Sequence, residues 1–109
     1  MKIAIIGSRN LKVDIAEYIP ENINVLVTGG ATGIDQLAEK YADENDIPKL
    51  ILKPTYDKYG KAAPLERNKA IVEICDAVVA IWDGKSKGTK FTIDYAKKIG
   101  KAIEIYIIE

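Results

Sequence analysis

The amino-acid sequence predicts a small doubly wound α/β domain: a five-stranded parallel sheet in the order 3-2-1-4-5, with helices on both faces. Short continuous apolar runs recur along the chain, and such runs are typical of strands buried on both faces. Segments with apolar residues at helical spacing separate them, and strands joined by right-handed helical crossovers lie parallel. The chain has 109 residues, which is enough for one core, so we expect one domain spanning residues 1–109.

The five predicted strands are rich in β-branched and other apolar residues. They are Lys2 to Ile6, Asn24 to Thr28, Lys49 to Lys53, Ala77 to Trp82, and Ala102 to Ile107. In the expected order, the sheet reverses direction between the strand that ends at Ile6 and the strand that ends at Trp82. Ligands of doubly wound sheets favour the crevice at this switch point.

Helical patterns connect the strands. The first, around Lys12 to Ile19, is short and ends at Pro20. The third is entered through Pro64, near a first-turn position, and the fourth has Gly100 as its stop. The apolar stripes of the later helices are Ile34, Leu37, Ala38, Tyr41 and Ala42; then Ile71, Val72 and Cys75; then Thr92, Ile93, Ala96 and Ile99.

The segment from Lys53 to Pro64 is predicted as a loop, long for a connection between a strand and a helix. It interleaves lysines with Tyr56 and Tyr59. As a lid, such a loop would stack a tyrosine on a base. The commoner role of such tyrosines is to anchor a long loop to the core.

The composition excludes several classes of function. Lys+Arg and Asp+Glu both number 16, so a formal net charge of zero gives no broad attraction to nucleic acid or to anionic membranes. The chain has no histidine, which excludes a histidine-based triad or metal site. The single cysteine, Cys75, excludes an internal disulfide and is expected to be a packed thiol. The apolar run Ile3 to Ile6 is too short for a signal peptide and no segment could span a bilayer, so we expect a cytoplasmic protein. Separately, we expect no metal and no required cofactor.

The segment Val25 to Asp35, VLVTGGATGID, changes from a strand pattern to a helix pattern through glycines. The first amides of a helix lack partners and carry partial positive charge, so an anion fits there. We expect Gly29, Gly30 and Gly33 to allow a tight turn and close approach of a ligand. The same residues also suit an ordinary turn between a strand and a helix.

Three further turns or helix starts carry similar signals: Gly7-Ser8-Arg9, Arg67-Asn68 and the loop Asp83 to Thr89, DGKSKGT. Both arginines of the chain lie in these segments. Guanidinium groups bind phosphates or carboxylates through bidentate hydrogen bonds. We expect the first turn of the third helix to hold Arg67 and Asn68. An internal salt bridge from Arg67 to Asp35 or Asp83 is the structural alternative.

The loop Asp83 to Thr89 offers phosphate-binding chemistry, because Gly84 and Gly88 stand among hydroxyls and ammonium groups just before a helix. It is not a Walker loop, since Val79 occupies the place of the required earlier glycine. The turn after the second strand also lacks a dinucleotide fingerprint, because Thr28 replaces its first glycine. Lys53 stands where an NAD site needs an acid, so NAD-dependent hydride transfer is disfavoured.

The motifs GSR, TGGATGID, ERNKAI and DGKSKGT, in this order, resemble the SLOG superfamily, which unites DNA-processing protein A (DprA) with the Lonely-guy phosphoribohydrolases. The resemblance covers nearly the whole chain and is closest to small stand-alone members. It implies a nucleotide-binding role for Ser8, Arg9, Gly29, Gly30, Arg67, Asn68, Gly88 and Thr89.

The resemblance also implies two alternatives. Lonely-guy enzymes pair an upstream arginine, matched by Arg67, with a glutamate just after the Gly-Thr pair, but Lys90, Phe91 and Thr92 follow here. N-glycosidic hydrolysis of nucleoside monophosphates would therefore need Asp35, Asp83 or Asp94 as a substitute. DprA binds single-stranded DNA through basic surfaces, which the balanced charge of this chain disfavours.

The sequence therefore predicts a sensor or binding module for a nucleotide or a nucleotide-derived, phosphorylated ligand such as a nucleotide sugar. It assigns no catalytic residue, and it leaves a homodimer open without identifying an interface. The predicted site residues are Gly7, Ser8, Arg9, Thr28, Gly29, Gly30, Gly33, Asp35, Arg67, Asn68, Asp83, Gly84, Ser86, Gly88 and Thr89.

Overall fold

A computed structural model describes residues 1–109 and confirms the predicted fold class. Five parallel strands form one sheet in the order β3-β2-β1-β4-β5. They are β1 (Lys2–Gly7), β2 (Val25–Thr28), β3 (Lys49–Ile51), β4 (Ala77–Trp82) and β5 (Ala102–Ile107). The architecture is a Rossmann-like doubly wound sheet, whose direction of strand succession reverses between β1 and β4.

The helices are α1 (Ile34–Glu44), α2 (Tyr56–Tyr59), α3 (Ala63–Ile74) and α4 (Lys87–Lys98). Two short 3-10 turns complete the chain, at Ala16–Tyr18 and Gly60–Ala62. The predicted stop of the last helix is confirmed: Gly100 adopts a φ of 74°, the left-handed conformation that ends many helices. No helix has both the length and the apolar character needed to cross a membrane.

The core forms two layers, because alternate residues of each strand point to opposite faces of the sheet. Ile3 and Ile5 of β1 pack on the face covered by α1, whereas Ala4 and Ile6 pack on the face covered by α3 and α4. Cys75, directly after α3, is buried in the second layer as predicted.

The predicted first helix, from Lys12 to Ile19, is wrong in extent: only the 3-10 turn at Ala16–Tyr18 forms. The Asp14 carboxylate accepts a hydrogen bond from the Ala16 amide at 3.0 Å, which favours a local turn over a continuous helix. The segment instead inserts Ile15 and Ile19 into the α1 side of the core.

The predicted loop from Lys53 to Pro64 is also wrong. It contains the single turn α2 and then a 3-10 turn that runs directly into α3. Because α3 begins at Ala63, Arg67 and Asn68 lie in its second turn rather than in its first. Their side chains thus start about one turn deeper along the helix than the sequence indicated.

Candidate functional site

An open cleft of about 540 Å³ lies at the carboxyl ends of β1 and β4, where the order of strands reverses. The turn after β2, the first half of α3, the loop after β4 and the start of α4 contribute its remaining walls. The predicted site residues that line this cleft are Gly7, Arg9, Asp35, Arg67, Asn68, Asp83, Ser86, Gly88 and Thr89.

The other predicted residues do not line the cleft: Ser8, Thr28, Gly29, Gly30, Gly33 and Gly84. Ser8 and Thr28 are buried behind the wall, at 1% and 0% exposure. Gly30, Gly33 and Gly84 all have positive φ, so they shape their turns.

Ser8 joins its own turn to two other segments of the wall, the start of α1 and the end of β4 with the loop that follows it. The Ile34 amide, at the start of α1, donates to the Ser8 carbonyl at 3.3 Å. The Asp83 amide, in the loop after β4, donates to the Ser8 hydroxyl at 3.0 Å. Ser8 also donates its own amide to the Ile81 carbonyl at 3.1 Å. This residue therefore holds the cleft together without facing a ligand.

Gly29 makes room for Arg67. A Cβ atom added at Gly29 would lie 2.6 Å from Nη1 of Arg67, closer than such atoms approach in proteins. The Gly29 carbonyl accepts a hydrogen bond from the same Nη1 at 2.5 Å. The lack of a side chain at Gly29 thus serves a guanidinium group of the protein, whereas the sequence had indicated close approach of a ligand.

Arg67 is held by neutral acceptors. Its Nη1 also donates to the Leu52 carbonyl at 3.3 Å, and its Nε donates to Oδ1 of Asn68 at 2.7 Å. No carboxylate lies within 4.0 Å of it, so neither alternative ion pair, with Asp35 or with Asp83, forms. Nη2 makes no hydrogen bond, which leaves one edge of the guanidinium free.

The charges around Arg67 show that both arginines face one region. Burial is the main cause that lowers the pKa of Arg67, and the Asp35 carboxylate partly offsets it. The positive charge of Arg9 lowers this pKa further. Arg9 itself is exposed, lines the cleft and makes no hydrogen bond or ion pair with the rest of the chain. Both arginines therefore border the same cleft.

Asp35 is a buried carboxylate, with 6% exposure, at the second position of α1. Its Oδ2 accepts a hydrogen bond from the Ala31 amide at 3.1 Å. Burial raises the pKa of Asp35, while the Ala31 amide, the nearby Thr28 hydroxyl and the Arg67 charge act in the opposite direction. The Gly29 amide also lowers this pKa, and the buried Thr28 hydroxyl has no hydrogen-bond partner elsewhere in the chain.

The start of α4 offers free backbone donors. Lys90 makes the first hydrogen bond of this helix, to the Ser86 carbonyl at 3.1 Å. The preceding amides, of Lys87, Gly88 and Thr89, have no partner, as expected for the first turn of a helix. Gly88 and Thr89 line the cleft, and a Cβ added at Gly88 would meet no atom within 4 Å. This turn is open to a ligand.

Asp83 organises the loop that leads into α4. Its Oδ1 accepts hydrogen bonds from the amides of Lys85 and Ser86, both at 2.8 Å, and lies 3.0 Å from the Ser86 hydroxyl. These amides, that of Ser86 first, hold the pKa of Asp83 well below its usual range. The Trp82 indole donates to the Ser86 carbonyl at 3.0 Å. Asp83 therefore stays ionised and fixes the position of the loop.

Several cleft residues were not predicted: Ile6, Asn10, Ala31, Pro64, Leu65, Lys85 and Thr92. Helical spacing could have identified Thr92, which lies one turn after Gly88 and donates its hydroxyl to the Gly88 carbonyl at 2.9 Å. Asn10 and Lys85 adjoin residues that were predicted. The apolar members carry no chemical signal in the sequence.

Comparison with known proteins adds no family assignment, since no protein-family model matches the chain and no curated protein matches it either.

Proposed function

We propose that this chain binds a nucleotide or a nucleotide-derived phosphorylated ligand in the cleft at the carboxyl edge of its sheet, as a SLOG-type sensor or binding module. The main support is that both arginines and the unpartnered amides of α4 border one cleft. The order of the motifs GSR, TGGATGID, ERNKAI and DGKSKGT adds the family resemblance.

The phosphate would bind at the first turn of α4. The amides of Gly88 and Thr89 supply donors there, and the dipole of this 12-residue helix favours negative charge at its start. Arg9 has no partner in the protein to release before it binds an anion. Two carboxylates line the cleft: Asp35 in α1, and Asp83 in the loop before α4, which already accepts hydrogen bonds from the backbone of its own loop.

The remainder of the cleft suits the less charged part of a nucleotide. Ile6, Pro64 and Leu65 provide apolar wall, while Asn68 adds an amide. The volume of about 540 Å³ lies within the range of about 300–1,000 Å³ that is usual for small-ligand pockets. Amphiphilic walls with a cationic end fit a molecule that has a ring system and a phosphate.

Arg9→Ala tests the proposal with little disturbance of the fold, because the Arg9 side chain is exposed and makes no hydrogen bond or ion pair within the chain. We expect a panel of nucleotides to raise the Tm of the wild-type protein in a concentration-dependent manner. Loss of one hydrogen bond to a charged group costs about 1.5–3 kcal/mol, so Arg9→Ala should weaken Kd by about tenfold or more.

Lys12→Ala is the matched control, since Lys12 is an exposed cation of the same segment that lies outside the cleft. It should bind as the wild type does. Equal weakening by both variants would indicate unspecific charge attraction and would contradict the proposal. A different result would favour a single-stranded DNA binder: no nucleotide binds, but oligonucleotides bind with an affinity that falls steeply as the salt concentration rises.

Hydrolysis of the N-glycosidic bond is the second candidate, favoured by the buried Asp35 carboxyl in the cleft near Arg67. A carboxyl whose pKa is raised is suited to donate a proton to a leaving base. Release of free base from nucleoside monophosphates, abolished in Asp35→Asn, would establish this activity.

A further inference from the structure

We propose that Asp35 and Arg67 together recognise a ribose hydroxyl, so that the cleft selects ribonucleotides over their deoxy counterparts. The inference rests on the proposed function and assigns an orientation to the ligand within it.

Two opposite charges line the same cleft without forming an ion pair. Asp35 is 6% exposed and Arg67 is 9% exposed, yet the two groups are more than 4.0 Å apart. Each charge nevertheless shifts the pKa of the other toward its charged form, so they are neighbours. Buried charges in proteins normally pair directly or share a bridging group. The gap between them is therefore a place for such a group.

Each of the two side chains has one polar atom without a hydrogen bond in the protein. Beyond the Ala31 contact to Oδ2, the Thr28 hydroxyl and the Gly29 amide lie close to the Asp35 carboxylate, but neither completes a hydrogen bond to Oδ1, and Nη2 of Arg67 donates none. Both atoms are at least partly accessible to solvent. The only fully buried side-chain nitrogen or oxygen atom that lacks a hydrogen-bond partner in this protein is Oγ1 of Thr28. Both residues line the cleft, and we therefore place the bridging group of the ligand between them.

The chemistry of the two atoms limits what binds between them. A phosphate oxygen would accept from Arg67 but would be repelled by Asp35, and an ammonium group would meet the opposite difficulty. A hydroxyl group accepts a hydrogen bond from Nη2 and donates one to Oδ1 with a single oxygen atom. The edge of a base that holds a donor beside an acceptor shares this chemistry, but it would make binding depend on the base.

The topology separates this hydroxyl subsite from the phosphate subsite. Asp35 follows β2 and Gly88 follows β4, and β1 lies between these two strands. A phosphate at α4 thus keeps away from the Asp35 carboxylate. A 5′-nucleotide offers one group to each subsite, since its ribose hydroxyls lie on the opposite face of the sugar ring from the substituent that carries the 5′-phosphate.

The test compares the Kd values of a ribonucleoside 5′-monophosphate with its 2′-deoxy and 3′-deoxy analogues, by calorimetry on the wild-type protein. Loss of the recognised hydroxyl should weaken binding about tenfold or more. Asp35→Asn should lower the affinity for the ribonucleotide to the level of the deoxy analogue and leave the analogue unchanged. Asp57→Asn, which neutralises an exposed acid outside the cleft, should keep the full preference.

The outcomes separate this inference from the proposed function. Nucleotide binding with equal affinity for ribose and deoxyribose forms would overturn the hydroxyl subsite and leave the proposed function standing. A preference that follows the base in the wild type would assign the gap to a base edge and would also overturn it. No binding of any nucleotide or of inorganic phosphate would refute the proposed function itself. The wild-type series gives this answer even if Asp35→Asn folds poorly.

Discussion

Gly88→Ala should stabilise the protein and weaken ligand binding at the same time. Gly88 is the one glycine within an α-helix of this chain, and its φ is not positive. An added Cβ would meet no atom within 4 Å, so alanine fits the unliganded protein. Alanine is better than glycine in a helix by up to about 1 kcal/mol. For a chain of this length, the unfolding entropy is about 0.23 kcal/mol/K, so Tm should rise by up to about 4 °C.

The same methyl group would occupy the space beside the free amides of Gly88 and Thr89. Crowding in a packed site costs about 1–3 kcal/mol, which corresponds to a Kd weakened by about 5- to 150-fold. Thermal unfolding without nucleotide measures the first effect, and calorimetric titration with the nucleotide that binds best measures the second.

Lys87→Ala provides the control on the same helix, because Lys87 is exposed and does not line the cleft. It should leave Kd unchanged apart from a small electrostatic effect. Unaltered affinity in Gly88→Ala would refute the assignment of the phosphate to the first turn of α4. A lowered Tm would show that glycine is required there by the unliganded fold.

Three further experiments test other parts of the structure. Asp83→Asn should lower the free energy of unfolding at pH 7, because a carboxylate whose pKa is depressed in the folded state stabilises the fold above its unfolded pKa of about 3.9. The difference in unfolding free energy between wild type and variant, measured by urea unfolding, should therefore shrink below pH 4. A difference that does not change with pH would contradict this. Burial raises the pKa of Cys75 to about 11, so its thiol should react with a disulfide reagent at pH 8 far more slowly in the folded protein than in urea, and equal rates would count against the packing. Gly29→Ala should lower the free energy of unfolding by about 1–3 kcal/mol, because the methyl displaces the Arg67 guanidinium; an unchanged urea midpoint would show that the side chain simply moves aside.

The sheet was predictable because its signal is local. Continuous apolar runs mark β4 and β5 with the observed ends, and topology rules then fix the strand order. The strand order also predicted that Arg9, Arg67 and the start of α4 lie at one edge of the sheet. The segments 12–19 and 53–64 were less predictable, since short turns depend on side-chain hydrogen bonds and on packing that periodicity does not show.

The functions of single residues were also hidden from sequence reasoning. A glycine that admits a ligand and a glycine that admits a neighbouring side chain look alike in a sequence. The structure distinguishes the two cases: the Arg67 side chain fills the space beside Gly29, whereas the space beside Gly88 is open. Similarly, Asp35 and Arg67 were candidates for an ion pair, and the distance between them depends on where α3 begins.

The position of Ser8 determines when the cleft can exist during folding. Its hydroxyl is hydrogen-bonded to the amide of Asp83, 75 residues away, and to the hydroxyl of Ser86, 78 residues away. The segments that follow β1 and β4 must therefore both be in place before the cleft is complete. Such distant contacts form late, after most chain entropy has been lost. A truncated chain that ends before β4 would have no site at all, and ligand occupancy would therefore report the concentration of fully assembled molecules.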